Sequence, residues 1–279
     1  MGERPRGRRR QLARRLKTLR ERNRLTLEEV CEPMQFSTSK LNRIENAENL
    51  IDIHELKSLL DIYCVTADRW PEYFDMLAAA KQRGWWRAYG LDDRGYVPME
   101  ADASLVRDFS LACVPGLLQT ADYARTMLRA SLAQRSSERL RNDLAVRMIR
   151  QKRLTSADDP LHLVAIVDES ALHRPVGGPA VMAEQLAQLV ERAALNTVTL
   201  QVLPTNHGAH IAQAGTFSLL SFDELGEPDV AYAEHPLGAT HTDREAAVSR
   251  ATMTFDRLRS DALSPADSEA LVRRAAEQY

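Results

Sequence analysis

Between Thr26 and Ala47 the chain reads TLEEVCEPMQFSTSKLNRIENA, two short amphipathic segments with space between them for no more than a tight turn. Thr26 followed by Glu29 is a capping-box signal for a helix start. Leu27, Val30, Cys31 and Met34 then recur at i, i+3, i+4 and i+7, which gathers one apolar stripe on the inner side. After Phe36, Ser37 can cap a second helix in which Leu41 and Ile44 face a core. Two helices broken this sharply make a helix-turn-helix, a unit that offers the outer face of its second helix to a partner.

That outer face is expected to hold Thr38, Ser39, Lys40, Asn42 and Arg43, a compact set of donors and positive charge suited to phosphates and base edges. The bland alternative is a small helical bundle with a solvated polar face. Charge argues against it. Residues 1–24 hold eleven Arg and Lys against two acids, a net +9, while the remainder carries 26 basic and 37 acidic residues, a net −11. The overall charge of −2 therefore conceals a basic head beside the expected recognition helix. Such a single-signed patch is the electrostatic footprint of a duplex binder.

Residues 8–63 resemble the repressor-type helix-turn-helix of the XRE family, shared by the lambda and 434 phage repressors. Leu19, Arg20, Leu25, Thr26, Glu29, Ser37, Leu41, Arg43, Ile44 and Glu45 carry the resemblance. It implies an ion pair between Arg20 and Glu45 that ties the first helix to the end of the recognition helix. It also places Thr38, Ser39 and Arg43 at base-reading positions. The expected DNA-facing set comprises Thr26, Ser37, Thr38, Ser39, Lys40, Asn42, Arg43 and Asn46, with Arg8, Arg9 and Arg10 as a basic arm. Arg43 is the first candidate for guanine, because a guanidinium can donate two hydrogen bonds to O6 and N7. Two positions depart from the family pattern. Pro33 is expected to end or distort its helix. Ala47 stands where glycine is usual, so the turn after Asn46 must avoid positive φ or bear strain.

A chain of 279 residues allows about two domains. No stretch approaches the roughly 18 apolar residues of a membrane span. The basic N-terminus lacks the apolar core of a signal peptide, so a cytoplasmic, nucleoid-associated protein is expected. Cys31, Cys64 and Cys113 are far apart, with no CxxC, and are expected as buried or semi-buried thiols.

Ile53 to Tyr63 reads as the helix that closes the DNA-binding bundle, giving a first domain over 1–68. A helical connector is expected over 69–98, beginning at Trp70-Pro71 and reaching about Gln82. Trp85 and Trp86 follow; they suit base stacking, a ligand pocket or, more commonly, anchoring one element against another. The third part, 99–279, reads first as helices, interrupted at 114–120. Strands are then expected at Leu161–Val167, Thr197–Leu203, Thr216–Phe222 and Val230–Glu234, with helices at Pro179–Leu195 and Thr242–Ser260. The fold class is thus a mainly α helix-turn-helix bundle followed by an α+β domain with a small mixed sheet.

The phrases VPGLLQTADYAR (114–125), RMIRQKRL (147–154), VDESALHRPVGGPAVMAEQL (167–186), LQVLP (200–204) and GTFSLLSF (215–222) resemble an actinobacterial regulator family. Its members join an XRE-type head to a C-terminal domain of unknown function and include WhiJ-like and antitoxin-like regulators. The resemblance implies transcriptional control, often with a small protein partner encoded nearby, and supplies no catalytic residues.

Chemistry beyond this is thin. His207 and His210 lack a third ligand at informative spacing, so no metal is expected. Asp168-Glu169 suits acid–base work or simply the first turn of a helix, and Gly177-Gly178-Pro179 suits a helix entry that accepts an anion. No enzyme and no cofactor are expected. Two readings remain. The first is a homodimeric, operator-binding regulator whose C-terminal domain holds a small protein. The second is a repressor whose C-terminal domain senses a small molecule, with Trp85, Trp86 and Tyr232 about the pocket. An enclosed apolar pocket would favour the second, an exposed apolar groove the first.

Overall fold

The computed structural model describes residues 5–81, 84–93, 95–131, 136–222 and 227–279, without the side chains of residues 5–8, 10 and 227. The chain divides into a first compact unit over Met1–Arg87 and a second over Ala88–Phe222 and Pro228–Tyr279.

The first unit is helical: α1 Pro5–Arg22, α2 Leu27–Met34, α3 Thr38–Glu45, α4 Ile53–Ile62 and α5 Trp70–Ala80. Leu12 and Leu16 of α1, Val30 and Cys31 of α2, and Leu41 and Ile44 of α3 meet Leu56, Leu59 and Leu60 of α4 in one buried cluster. Each fully buried leucine contributes about 1.5–3 kcal/mol, so α2 and α3, at eight residues each, are held by packing rather than by propensity. Helix α5, expected in a connector, instead adds Tyr73, Met76 and Leu77 to the same cluster, and an Arg15–Glu72 ion pair joins it to α1. Gln82, where that helix was expected to finish, lies outside the described residues.

Helices α1 to α4 end alike. After each, one non-glycine residue adopts left-handed backbone: Arg24 (φ 56°), Gln35 (φ 52°), Ala47 (φ 58°) and Cys64 (φ 54°). The next residue's N–H then reaches back five residues, as in Leu25 to the Arg20 carbonyl (3.1 Å), Phe36 to Cys31 (3.0 Å), Glu48 to Arg43 (2.8 Å) and Val65 to Leu60 (2.9 Å). These are Schellman closures built without glycine. Ala47 therefore bears strain rather than avoiding positive φ. Pro33 is the penultimate residue of α2, which stops one residue later. Cys64, expected to be at least half-buried, is exposed because it occupies such a turn; Cys31 is buried and Cys113 half-buried.

In the second unit, α6 Tyr96–Asp102 precedes β1 Leu105–Ser110. Then come α7 Ala121–Ala130, α8 Ser137–Gln151, β2 His162–Asp168, α9 Ser170–His173, α10 Pro179–Ala193 and β3 Val198–Leu203. The chain continues through β4 Phe217–Phe222, β5 Glu227–His235, β6 Gly238–Thr242, α11 Glu245–Asp261 and α12 Pro265–Ala276. The strands form one mixed sheet in the order β3-β2-β1-β4-β5-β6, so the unit is α+β. β1 to β3 are parallel neighbours, β4 runs antiparallel to β1, and β5 and β6 pair antiparallel. One face is filled by Phe109, Ile166, Leu203 and Leu219 with Phe255 and Leu258 of α11.

Strand β1 lies at the centre of the sheet, in a region read from the sequence as helical. Its LVRDFS pattern hides the strand, because two charged residues occupy the middle. The fold gives each a partner. Arg107 pairs with Asp229 at 2.6 Å, and Asp108 accepts hydrogen bonds from the hydroxyls of Ser110 (2.7 Å) and Ser218 (2.8 Å). Helix α12, unforeseen, packs on α10 and β3, where the Val202 N–H donates to the Ser268 hydroxyl at 2.9 Å.

Candidate nucleic-acid interface

Helix α3 begins where the Ser37 hydroxyl accepts from the Lys40 N–H at 3.2 Å. Leu41, Ile44 and Glu45 turn inward and are buried. Glu45 accepts from Arg20 Nε at 2.7 Å and Nη2 at 2.8 Å, while Arg20 Nη1 donates to the Leu25 carbonyl at 2.9 Å. Arg20 thus fixes the far end of α3 and the α1–α2 turn with one guanidinium. Both side chains are largely withdrawn from water, at 12% and 3% exposure, so the pair is bidentate and dry rather than a weak surface contact. The hydrogen bonds to Glu45 push the Arg20 pKa up, ahead of the opposing effect of burial.

Helix α2, which supports α3, carries its own cap. Thr26 accepts from the Glu29 N–H at 3.2 Å, and Glu29 accepts from the Thr26 N–H at 2.8 Å. Donation from the Thr26 N–H, and from its hydroxyl at 3.1 Å, holds the Glu29 carboxyl below its ordinary value of 4.5. Thr26 and Ser37 are exposed, but their oxygens already serve the helix starts.

Thr38, Ser39, Asn42, Arg43 and Asn46 are exposed together along α3. Arg43 Nε leans on the Ser39 carbonyl at 3.3 Å, which leaves the two terminal nitrogens of its fork directed to solvent. Asn46 donates to the Asn42 amide oxygen at 3.1 Å, so these two amides form one linked donor–acceptor pair. Lys40 departs from the outward set expected of it. It is half-buried, pairs with Glu55 of α4 and lies 3.9 Å over the Phe36 ring. The cause is its position one turn from the α3 start, where α4 presents a carboxylate.

The basic segment expected as an arm is part of α1, which begins at Pro5. Arg9 Nη2 donates to the Glu48 carbonyl at 2.5 Å, in the turn that follows α3. The side chains of Arg8 and Arg10 lie outside the described residues.

Of the residues nominated for a ligand pocket, Trp85 and Trp86 belong to the first unit and Tyr232 to the second. Trp86 is buried in the first unit against Gly84, where an added Cβ would stand 2.1 Å from its ring, and Trp85 meets it edge-on at 6.0 Å between centroids. Tyr232 belongs to the second unit and packs against Tyr96, with ring centroids 4.8 Å apart and planes tilted by 58°. There it lines a cavity of about 540 Å³, together with Asp108, Arg147, Arg150 and Ser218. Burial pulls the Arg147 pKa down to about 10. Burial acts likewise on Arg150, but the Glu100 carboxylate outweighs it and drives that pKa up. Sequence reasoning passed over Arg147 and Arg150, because α8 also carries Arg139, Arg141 and Asp143 and nothing in its pattern sets those two apart.

The remaining candidates are dispersed. His207 approaches Asp261 at 3.7 Å and His210 approaches Asp168 at 3.9 Å, so the two imidazoles turn to different carboxylates. Asp168 accepts from the Ser170 N–H at 2.9 Å and Glu169 from the Thr205 N–H at 2.7 Å. Gly177 and Gly178 open α10 with φ of 76° and 91°. Among the described residues no cluster of His, Cys, Asp and Glu is arranged to hold a metal, and no helix is long and apolar enough to cross a membrane.

Comparison with known families gives two matches. Residues 11–72 match a helix-turn-helix domain model, and residues 93–274 match a domain of unknown function, DUF5753. No match is found among curated proteins or among solved structures. The second model covers more than half of the chain, which therefore belongs to the DUF5753 family and carries a helix-turn-helix domain in front of it.

Proposed function

We propose that this protein is a sequence-specific DNA-binding transcriptional regulator of XRE type, which reads the major groove with α3 and answers to an effector held by the second unit. The observation that carries the reading is the exposed row Thr38, Ser39, Asn42, Arg43 and Asn46 on a helix whose inner side is pinned by the Arg20–Glu45 pair. Side chains can read bases when the element that bears them is rigid and their donors are uncommitted. A homodimer would set two such helices about one DNA turn, roughly 34–36 Å, apart. Selection of binding sites from random duplexes by the full-length chain tests this. A two-fold symmetric motif is expected, and failure to enrich any motif would contradict the reading.

For the effector, the cavity of about 540 Å³ supports a small molecule. A protein partner, in the antitoxin-like manner, is the second reading. It is favoured by Leu237, 94% exposed between β5 and β6, and Met253, 61% exposed on α11.

A further inference from the structure

We propose that the cavity of the second unit binds a small organic carboxylate and that Arg147 receives its carboxylate group. The proposal rests on the effector reading above and names the chemistry of that effector.

Arg147 projects from α8 into the cavity. Its Nη1 donates to the Gln119 amide oxygen at 2.5 Å, and Gln119 is itself fixed by donating to the Val114 carbonyl at 2.7 Å. Arg147 is therefore positioned, but by a neutral acceptor. Its neighbours are treated otherwise. Arg150 is matched by both oxygens of Glu100 at 2.7 and 2.6 Å, Arg139 by Asp143 at 3.0 Å, and Arg153 by Asp159 at 3.0 Å. Among the described residues no carboxylate stands within ion-pairing distance of Arg147. A half-buried guanidinium held by a neutral acceptor rather than by a counter-charge is placed to take its anion from a ligand.

The rest of the lining narrows the anion. Asp108 and Glu234 border the same space and, among the described residues, have no basic partner within ion-pairing distance, so the second charge of a phosphate would meet their repulsion. A singly charged carboxylate fits the donors of Arg147 that Gln119 leaves free. Leu117, Met127, Leu128, Val146 and Phe217 give its remainder an apolar surface. The volume of about 540 Å³ suits a small molecule with an aryl or medium alkyl body.

The test uses the full-length protein, thermal unfolding and calorimetric titration. The probes are aryl and alkyl carboxylates from acetate to decanoate and 4-phenylbutyrate, each beside its uncharged amide, with inorganic phosphate as the competing anion. At least one carboxylate is expected to bind and raise the melting temperature while its amide does not. Arg147→Gln is expected to weaken that binding at least about tenfold, and Arg147→Lys to weaken it less. Binding of no carboxylate, equal binding of the amide, tighter binding of phosphate, or an unchanged affinity in Arg147→Gln would each overturn the assignment. Without ligand, Arg147→Gln is expected to melt at or above the wild-type temperature; a loss of several degrees would make Arg147 a structural residue and would also overturn it. Operator affinity measured with and without the bound carboxylate is a separate arm. A carboxylate that binds through Arg147 yet leaves that affinity unchanged refutes the effector reading and leaves the binding site standing.

Discussion

At the residue scale, the first unit depends on a few side chains and backbone torsions that fix α3. Ala47 is the plainest. An L-residue at φ 58° bears about 1–2 kcal/mol of local strain, whereas glycine adopts this conformation freely. Glycine also gives the unfolded chain more freedom to lose, which offsets about 0.4–1 kcal/mol. Ala47→Gly is therefore expected to raise stability by about 0.5–1 kcal/mol, read from denaturant midpoints; a loss of stability would show that the turn's Cβ packs usefully. Tyr63 supplies a second case. Its buried hydroxyl has no hydrogen-bond partner among the described residues, and burial pushes its pKa up strongly. Tyr63→Phe is expected to be neutral or to stabilise by about 1 kcal/mol, since an unsatisfied polar group is removed. Destabilisation by that amount would mean that the hydroxyl is bonded in solution.

At the element scale, the Arg20–Glu45 pair decides whether α3 keeps its angle to α1. Removing one partner leaves the other charge largely buried. Glu45→Gln is expected to cost about 3 kcal/mol, discounted from the upper range because Arg20 retains 12% exposure. An effect below about 0.5 kcal/mol would reduce the pair to an ordinary surface contact. Acid acts on the same bundle through its caps. The Glu29 carboxyl, held low by the Thr26 N–H, contributes stability above its unfolded pKa and loses it as pH falls through the folded value. Glu29→Gln should therefore flatten the acid limb of the stability profile, and an unaltered limb would remove Glu29 from the account.

The elements also show what is legible in a sequence. Helices α2 to α4 were readable because caps and periodicity agree over short distances, as at Thr26, Ser37 and the Leu41–Ile44 step. Strands β2, β3 and β4 were readable as apolar runs bounded by breakers. β1 was not, because Arg107 finds its counter-charge 122 residues away in Asp229 and Asp108 finds a donor 110 residues away in Ser218, and no local pattern carries that information. Lys40 misled for the same reason: its counter-charge, Glu55, stands 15 residues on, in the first turn of α4. The cavity residue Arg147 was invisible as a site because what distinguishes it is the lack of a nearby carboxylate, a property of the fold alone.

At the scale of the whole molecule, charge is divided by sequence position, with the net +9 of residues 1–24 set against −11 elsewhere. The polarity favours approach of DNA to the first unit and makes binding salt-dependent. Since Arg8, Arg9 and Arg10 lie within the α1 span rather than in an extended arm, their contribution is expected to be phosphate contact from a fixed helix. Replacing them together with alanine should flatten the plot of log K against log salt by up to about 0.9 per lost contact. An unchanged slope would show that this end of α1 does not meet DNA.

The central claim is that α3 reads base identity, and Arg43 is where it is most exposed to test. The measurement is the affinity of wild type and Arg43→Ala for the selected operator and for every single-base variant of one half-site. The account predicts a loss of about 1–3 kcal/mol on the preferred sequence, with discrimination relaxed at one base pair and kept elsewhere. A uniform weakening across all variants would make Arg43 a phosphate contact and would contradict the assignment of α3 as the reading helix through this residue.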